Sequence, residues 1–346
     1  MEFPIIPPID EQKRKEAAER QYELTKPRGS MGDLEDLSVD IAGMTGRIAP
    51  DLANRTVFLM AADHGIAREG VSPYPSEVTA QMVMNFLNHG AAINVLTRQV
   101  RSEVKIIDIG VASDFPECEG LIRRKVAYGT ANMLKEPAMT VQQAEAALQV
   151  GMDVLNEAAD QGLQMAAIGE MGIGNTTSAS AITAVLCGKP VPEVTGRGTG
   201  LDDEGLRRKV AVIEQVLENR RPDPNDPMDV LCKVGGLEIA GMAGVTIAAA
   251  ARRIPLVMDG LISTAAAVLA DALVPGVRNY LIAGHRSPEI GHRWLLEKVG
   301  KKPLLQLNMR VGEGTGAALA FQLVDAANNI LRDMATFASA GISDKE

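Results

Sequence analysis

Glu313 lies in "RVGEGTGAALA" (Arg310 to Ala320), an acid flanked by Gly312 and Gly314 ahead of an alanine-rich helical pattern. Glycine is used where a side chain would obstruct a close approach to the backbone. A carboxylate in such a setting can accept a proton from a ligand lying against the loop. A second stretch, "GEMGIGNTTSAS", carries Glu170, Met171, Gly172 and Gly174 ahead of Asn175, Thr176 and Thr177. It reads equally as an anion cradle at a helix start or as an ordinary strand–helix turn. A third, "VTGRGTGLDDEGLRRKV", sets Gly196, Gly198 and Gly200 before a helix bearing Lys209. That lysine is either a mobile positive charge for a phosphate or a solvated lysine on a helix face. Neither GxxxxGK[ST] nor a strand-linked GxGxxG is present, which disfavours a nucleotide triphosphatase and a dinucleotide dehydrogenase. His64 and His285 each follow a strand without metal-type partners at fixed spacing, and read as structural hydrogen-bonding residues.

The elements that must position these residues are legible as six short apolar runs at 56–61, 104–109, 165–170, 255–260, 279–284 and 303–308. Helix-period segments separate most of them, including one opened by Thr140 and one over 201–220. Such alternation implies an α/β fold with a parallel, doubly wound sheet. Asp63 and His64, Asp108, Glu170, Asp259, His285 with Ser287, and Glu313 all fall at or just past the ends of the runs, where such sheets bind ligands. Charged helices near the N-terminus and a helix after Gly316 are expected to pack together. They form a small helical subdomain, 1–50 with 317–346, beside an α/β catalytic domain over 51–316.

The 346 residues carry a net charge of −9, which argues against a general nucleic-acid partner or an acidic membrane surface. Cys118, Cys187 and Cys232 are scattered and show neither zinc spacing nor a disulfide framework. No signal peptide or membrane span is read, so the expected location is the cytoplasm, with no metal and no cofactor.

Taken together, "KPRGSMGDLEDL", "AADHGIAREGVSPYPSEVTAQMV", "GEMGIGNTTSAS", "KVGGLEIAGMAG", "VMDGLISTAAA" and "RVGEGTGAALA" resemble the nicotinate-nucleotide:dimethylbenzimidazole phosphoribosyltransferase family, in order and over nearly the whole chain. The resemblance implies a six-stranded parallel, Rossmann-like sheet and a homodimer. It also implies transfer of the phosphoribosyl group of nicotinate mononucleotide to an aromatic base in cobamide assembly. Under it, Glu313 is the catalytic base, and Tyr74, Met82, Glu170 and Met171 surround the aromatic base. Gly172, Gly174, Asn175, Thr176, Thr177, Gly196, Gly198, Lys209, Asp259 and Ser287 hold the mononucleotide. Dimethylbenzimidazole, another benzimidazole, adenine and a phenol all stay open as the base, as does a heterodimer with a paralogue. A catalytically weak paralogue supporting an active partner is the alternative reading, and a different α/β enzyme acting on a phosphorylated sugar is a third.

Overall fold

A computed structural model describes residues 1–343; the last three residues of the expected C-terminal subdomain lie outside this range. Six strands form one all-parallel sheet: β1 (Arg55–Ala62), β2 (Glu103–Gly110), β3 (Leu121–Arg123), β4 (Met165–Met171), β5 (Leu256–Met258) and β6 (Leu281–Ala283). Their order is β3-β2-β1-β4-β5-β6. The chain therefore winds outward from β1 to β3, then returns to lay β4 on the other side of β1. Every residue of β1 is buried, as an interior strand covered on both faces requires.

The sheet has six strands, but not the six apolar runs. The run at 303–308 is not a strand. It touches the sheet by one bridge, Leu305 to His285, with Leu304 and Leu305 donating to the carbonyls of Ala283 and Gly284. Pro303 has no N–H to give a ladder, and Gln306, Leu307 and Asn308 are exposed. The sixth strand is β3, whose three residues are too short to show periodicity.

The helices are α1 (Glu11–Glu23), α2 (Asp33–Thr45), α3 (Glu77–Leu87), α4 (Ala92–Gln99), α5 (Val141–Asp160), α6 (Asn175–Cys187), α7 (Val191–Val194), α8 (Asp203–Arg220), α9 (Pro227–Val234), α10 (Leu237–Ala251), α11 (Leu261–Leu273), α12 (His292–Val299), α13 (Thr315–Asp333) and α14 (Phe337–Ala340). The proline-rich segment at 220–229 turns helical at Pro227, where Asp226 caps α9 by accepting from Met228 and Asp229. Thr140 caps α5 as its sequence suggests, accepting from Gln143 N at 3.2 Å. Helices α5, α10 and α11 make one covering layer, and α3, α4 and α13 the other. Helix α10 is buried along nearly its whole length. It approaches α5 closely because Gly151 and Gly244 face the backbone of the opposite helix, where a Cβ would overlap a carbonyl. No helix among the described residues is long and apolar enough to cross a membrane.

Helices α1 and α2 pack on the far half of α13 through Ala17, Ala42 and Leu331. Arg20 Nε donates to Leu331 O at 2.6 Å, and Leu24 bridges to Thr336. The near end of α13 lies on β4 and β5. This helix thus ties the chain ends to the strand ends that form the cleft.

Candidate active site

A cleft opens beyond the carboxyl ends of β4, β5 and β6, walled by the segments 170–176, 259–263, 285–289 and 310–313 with Gly198 and Thr199. Its floor is the GEG loop. Gly312, Glu313 and Gly314 take φ of +82°, +63° and +90°, three consecutive left-handed residues. Glycine enters that region freely, but for Glu313 it costs about 1–2 kcal/mol. The surroundings hold the loop in this shape. A Cβ on Gly169 of β4 would run into the Glu313 carbonyl, and one on Gly312 would strike Glu170 Oε1. Gly316 likewise lies under the His285 ring. These glycines answer to neighbouring protein groups, which is why backbone and sheet meet so closely here.

Asp259, one residue past β5, anchors the same loop. Its Oδ1 accepts from Gly316 N (2.7 Å) and Ala317 N (3.2 Å), and its Oδ2 from Gly314 N (3.2 Å). These are orphan donors of the first turn of α13, and an anion is favoured there. His285 Nε2 lies 3.2 Å from Asp259 Oδ1. Asp259 lines the cleft, but both its oxygens are committed to protein.

Glu313 is buried, with Oε2 accepting from Ile93 N at 3.1 Å in the first turn of α4. Among the described residues its other oxygen accepts no protein hydrogen bond. Burial holds its pKa above the usual carboxylate range, with a smaller contribution from Asp259. Glu170 sits beside it, with Oε2 bonded to Asn175 Nδ2 and Oε1 accepting from Glu313 N at 3.4 Å. Burial, reinforced by Asp259 and Glu238, pushes Glu170 up to about 8. At neutral pH Glu170 is therefore mostly a neutral acid that can donate a proton or a hydrogen bond.

The other end of the cleft carries the nitrogen donors. Lys209 is fully buried and its Nζ donates to Thr176 Oγ1 at 2.7 Å, just behind Gly198. Burial lowers its pKa to about 8, against the pull of Glu289. Gly198 is held from both sides: its N–H donates to Glu289 Oε1 (3.1 Å) and its carbonyl accepts from Arg310 (3.2 Å). The 285–289 loop is fixed by His292, whose Nδ1 accepts from Ser287 N at 3.0 Å. Burial pushes the His292 pKa down to about 3, so its proton sits on Nε2 and donates to Thr264 Oγ1 at 3.0 Å.

Of the residues singled out in the sequence, Glu170, Met171, Gly172, Asn175, Thr176, Gly198, Asp259, Ser287 and Glu313 line the cleft together. Lys209 reaches it through Thr176. Gly174 instead caps α6 in the left-handed region against His64, Thr177 is fully buried, and Gly196 lies beneath the Glu289 carboxylate. Tyr74 is half exposed ahead of α3, and Met82 packs on the core from α3; neither lines this cleft. The walls beside Met171 are Ile173 and Val311 instead. Sequence reasoning misses Glu289, although it lies only two residues beyond Ser287. His64 is buried behind Gly172 and does not line the cleft, with Nε2 2.6 Å from Glu238 Oε1 and Nδ1 3.1 Å from Ser178 Oγ. Among the described residues no cluster of three or more His, Cys, Asp or Glu could hold a metal ion.

Fold and site define an α/β protein whose ligand cleft lies beyond the strand ends, acidic on its floor and basic at one end. The chain belongs to the phosphoribosyltransferase family whose model matches residues 6–342. It is 57% identical over 341 residues to the nicotinate-nucleotide–dimethylbenzimidazole phosphoribosyltransferase of Chloroflexus aggregans, covering 99% of this chain and 97% of that one. It is 52% identical to the protein of the same name from Geobacter sulfurreducens, covering 98% and 96%. The crystal structure of CobT from Thermus thermophilus superposes with a TM-score of 0.93 at 46% identity, covering 96% of this chain and 100% of that one.

Proposed function

We infer that the chain transfers the 5-phosphoribosyl group of nicotinate mononucleotide to a nitrogen of an aromatic base, giving an α-ribotide and free nicotinate for the nucleotide loop of a cobamide. The observation that carries the mechanism is the Glu313 carboxylate on its left-handed loop, with one oxygen fixed by Ile93 N and the other unbonded among the described residues.

The base nitrogen attacks C1′ of the ribose as the bond to nicotinate breaks. The bond's electron pair returns to the pyridinium nitrogen, and the β-glycoside becomes an α-glycoside. The new ribotide is left with an N–H proton to lose, and Glu313 accepts it. Burial raises the basicity of Glu313, which suits a proton acceptor working near neutral pH. Glu170, mostly neutral, offers a hydrogen bond beside it without adding a second negative charge. Asp259 keeps the loop in place through Gly314, Gly316 and Ala317. Thr176, Lys209 and the Gly198 loop take the phosphate end, while Met171, Ile173 and Val311 supply apolar wall for the ring. The base is dimethylbenzimidazole or a related ring, and the enzyme works in the cytoplasm as a pair of identical chains, in keeping with the family resemblance.

The test is direct. Purified protein is incubated with nicotinate mononucleotide and a panel of benzimidazoles, adenine and phenols, and products are read by mass spectrometry. Nicotinate release matched by α-ribotide supports the reading; nicotinate release without ribotide, or no release with any base, removes it.

A further inference from the structure

The phosphate end of the cleft already holds an anion of the protein's own. Glu289 Oε1 takes the Gly198 N–H at 3.1 Å, and its carboxylate fills the space above Gly196. Its second oxygen is buried with no hydrogen-bond partner among the described residues. A lone buried carboxylate oxygen is costly unless something compensates it. The compensating charge is Lys209, whose ammonium lies beside Gly198 and bonds only Thr176 among the described residues. A backbone N–H on an oxygen acid, with a buried ammonium held nearby on Thr176, is a donor set that a phosphate monoester would use. The cleft is also short of space. Its volume is about 110 Å³, whereas small-molecule sites commonly measure about 300–1,000 Å³. A side chain that withdraws from the phosphate end would make room for a mononucleotide. Glu289 is the side chain that sits on the Gly198 N–H, at the end of a loop tethered by His292.

We propose that Glu289 is a specificity residue that occupies the phosphate position in the unliganded protein and is displaced from Gly198 by the phosphate of the mononucleotide. The proposal rests on the phosphoribosyl reading for its ligand. The carboxylate keeps the donors ordered between turnovers. It also screens out anions too weakly held to displace it, by placing one like charge in their path.

The experiment uses the whole protein at pH 6.5, below the value of about 8 at which Lys209 titrates in the native protein. Calorimetry measures binding of inorganic phosphate and of nicotinate mononucleotide to the native protein, Glu289→Gln and Glu289→Ala, with melting curves to confirm folding. Steady-state kinetics then compare nicotinate mononucleotide with nicotinate riboside, which lacks the phosphate. The expected result is phosphate binding tightened about tenfold or more in Glu289→Gln. The KM for the mononucleotide should fall in parallel and that for the riboside stay unchanged. Weaker or equal phosphate binding in both folded variants overturns the proposal. So does an equal rise in KM for mononucleotide and riboside, which would make Glu289 a ribose ligand. Tighter phosphate binding in a protein that never turns over the mononucleotide would leave Glu289 as an anion gate and defeat the phosphoribosyl reading instead.

Discussion

Asp259 gives the sharpest test of how the Gly312–Glu313–Gly314 loop is held. Three backbone N–H groups, of Gly314, Gly316 and Ala317, end on its two oxygens. Asp259→Ala leaves all three buried and unpaired, at about 1–3 kcal/mol each, and shared relaxation should bring the total to about 3–6 kcal/mol. Asp259→Asn keeps a carbonyl for Gly316 and Ala317 but turns an NH₂ toward Gly314, so it should lose about 2 kcal/mol. For a chain this long, 1 kcal/mol moves the melting temperature by about 1–2 °C. The expected order is native, then Asn, then Ala, with Ala lower by about 3–12 °C at those rates. Calorimetric melting reads the order, and kcat for ribotide formation should fall further for both variants than binding of the mononucleotide does. Ala and Asn variants with equal melting temperatures, or an Ala variant within about 1 °C of native, would refute the anchoring role.

Three other perturbations follow from the same geometry. Gly312→Ala must hold φ near +82° with its methyl against Glu170 Oε1, so stability should drop by about 2 kcal/mol and turnover with it; native-like melting would show the loop to be pliable. Glu170 titrates near 8 when folded against an ordinary 4.5, so the folded state holds a proton that the unfolded chain releases. Its contribution is complete below pH 4.5 and fades as pH rises through 8. Glu170→Gln should therefore gain on the native protein between about pH 5 and 8, by up to about 5 kcal/mol, and parallel stability curves would contradict this. Lys209→Met keeps volume and removes charge, so the KM for nicotinate mononucleotide should rise by about tenfold or more while that for the riboside holds; equal changes would take Lys209 out of phosphate recognition.

The interior of the fold is legible in the sequence because β1 and β4 are largely apolar, as strands covered on both faces must be. The sheet edges are not. The three residues of β3 sit among charged neighbours, while 303–308 looks like a strand only until Pro303 and its exposed tail are weighed. At the site, sequence exposes the residues that stand on strand ends and in glycine loops, Glu170, Asp259 and Glu313. It does not show that Asp259 faces the α13 amides, since those partners lie more than fifty residues away. Tyr74 and Met82 rest on the family resemblance, and the structure places them outside the cleft wall. Glu289 leaves no local signal, because its importance depends on Gly198 arriving from another loop.

On the proposed mechanism, Glu313 takes the proton released when base and ribose join. Its most direct test is the rate of α-ribotide formation from nicotinate mononucleotide and dimethylbenzimidazole by the native protein and by Glu313→Gln, with mononucleotide affinity measured beside it. Unchanged affinity and a rate lower by about a hundred- to ten-thousand-fold are expected. A Glu313→Gln protein that forms the ribotide within a few-fold of the native rate at neutral pH would contradict that role.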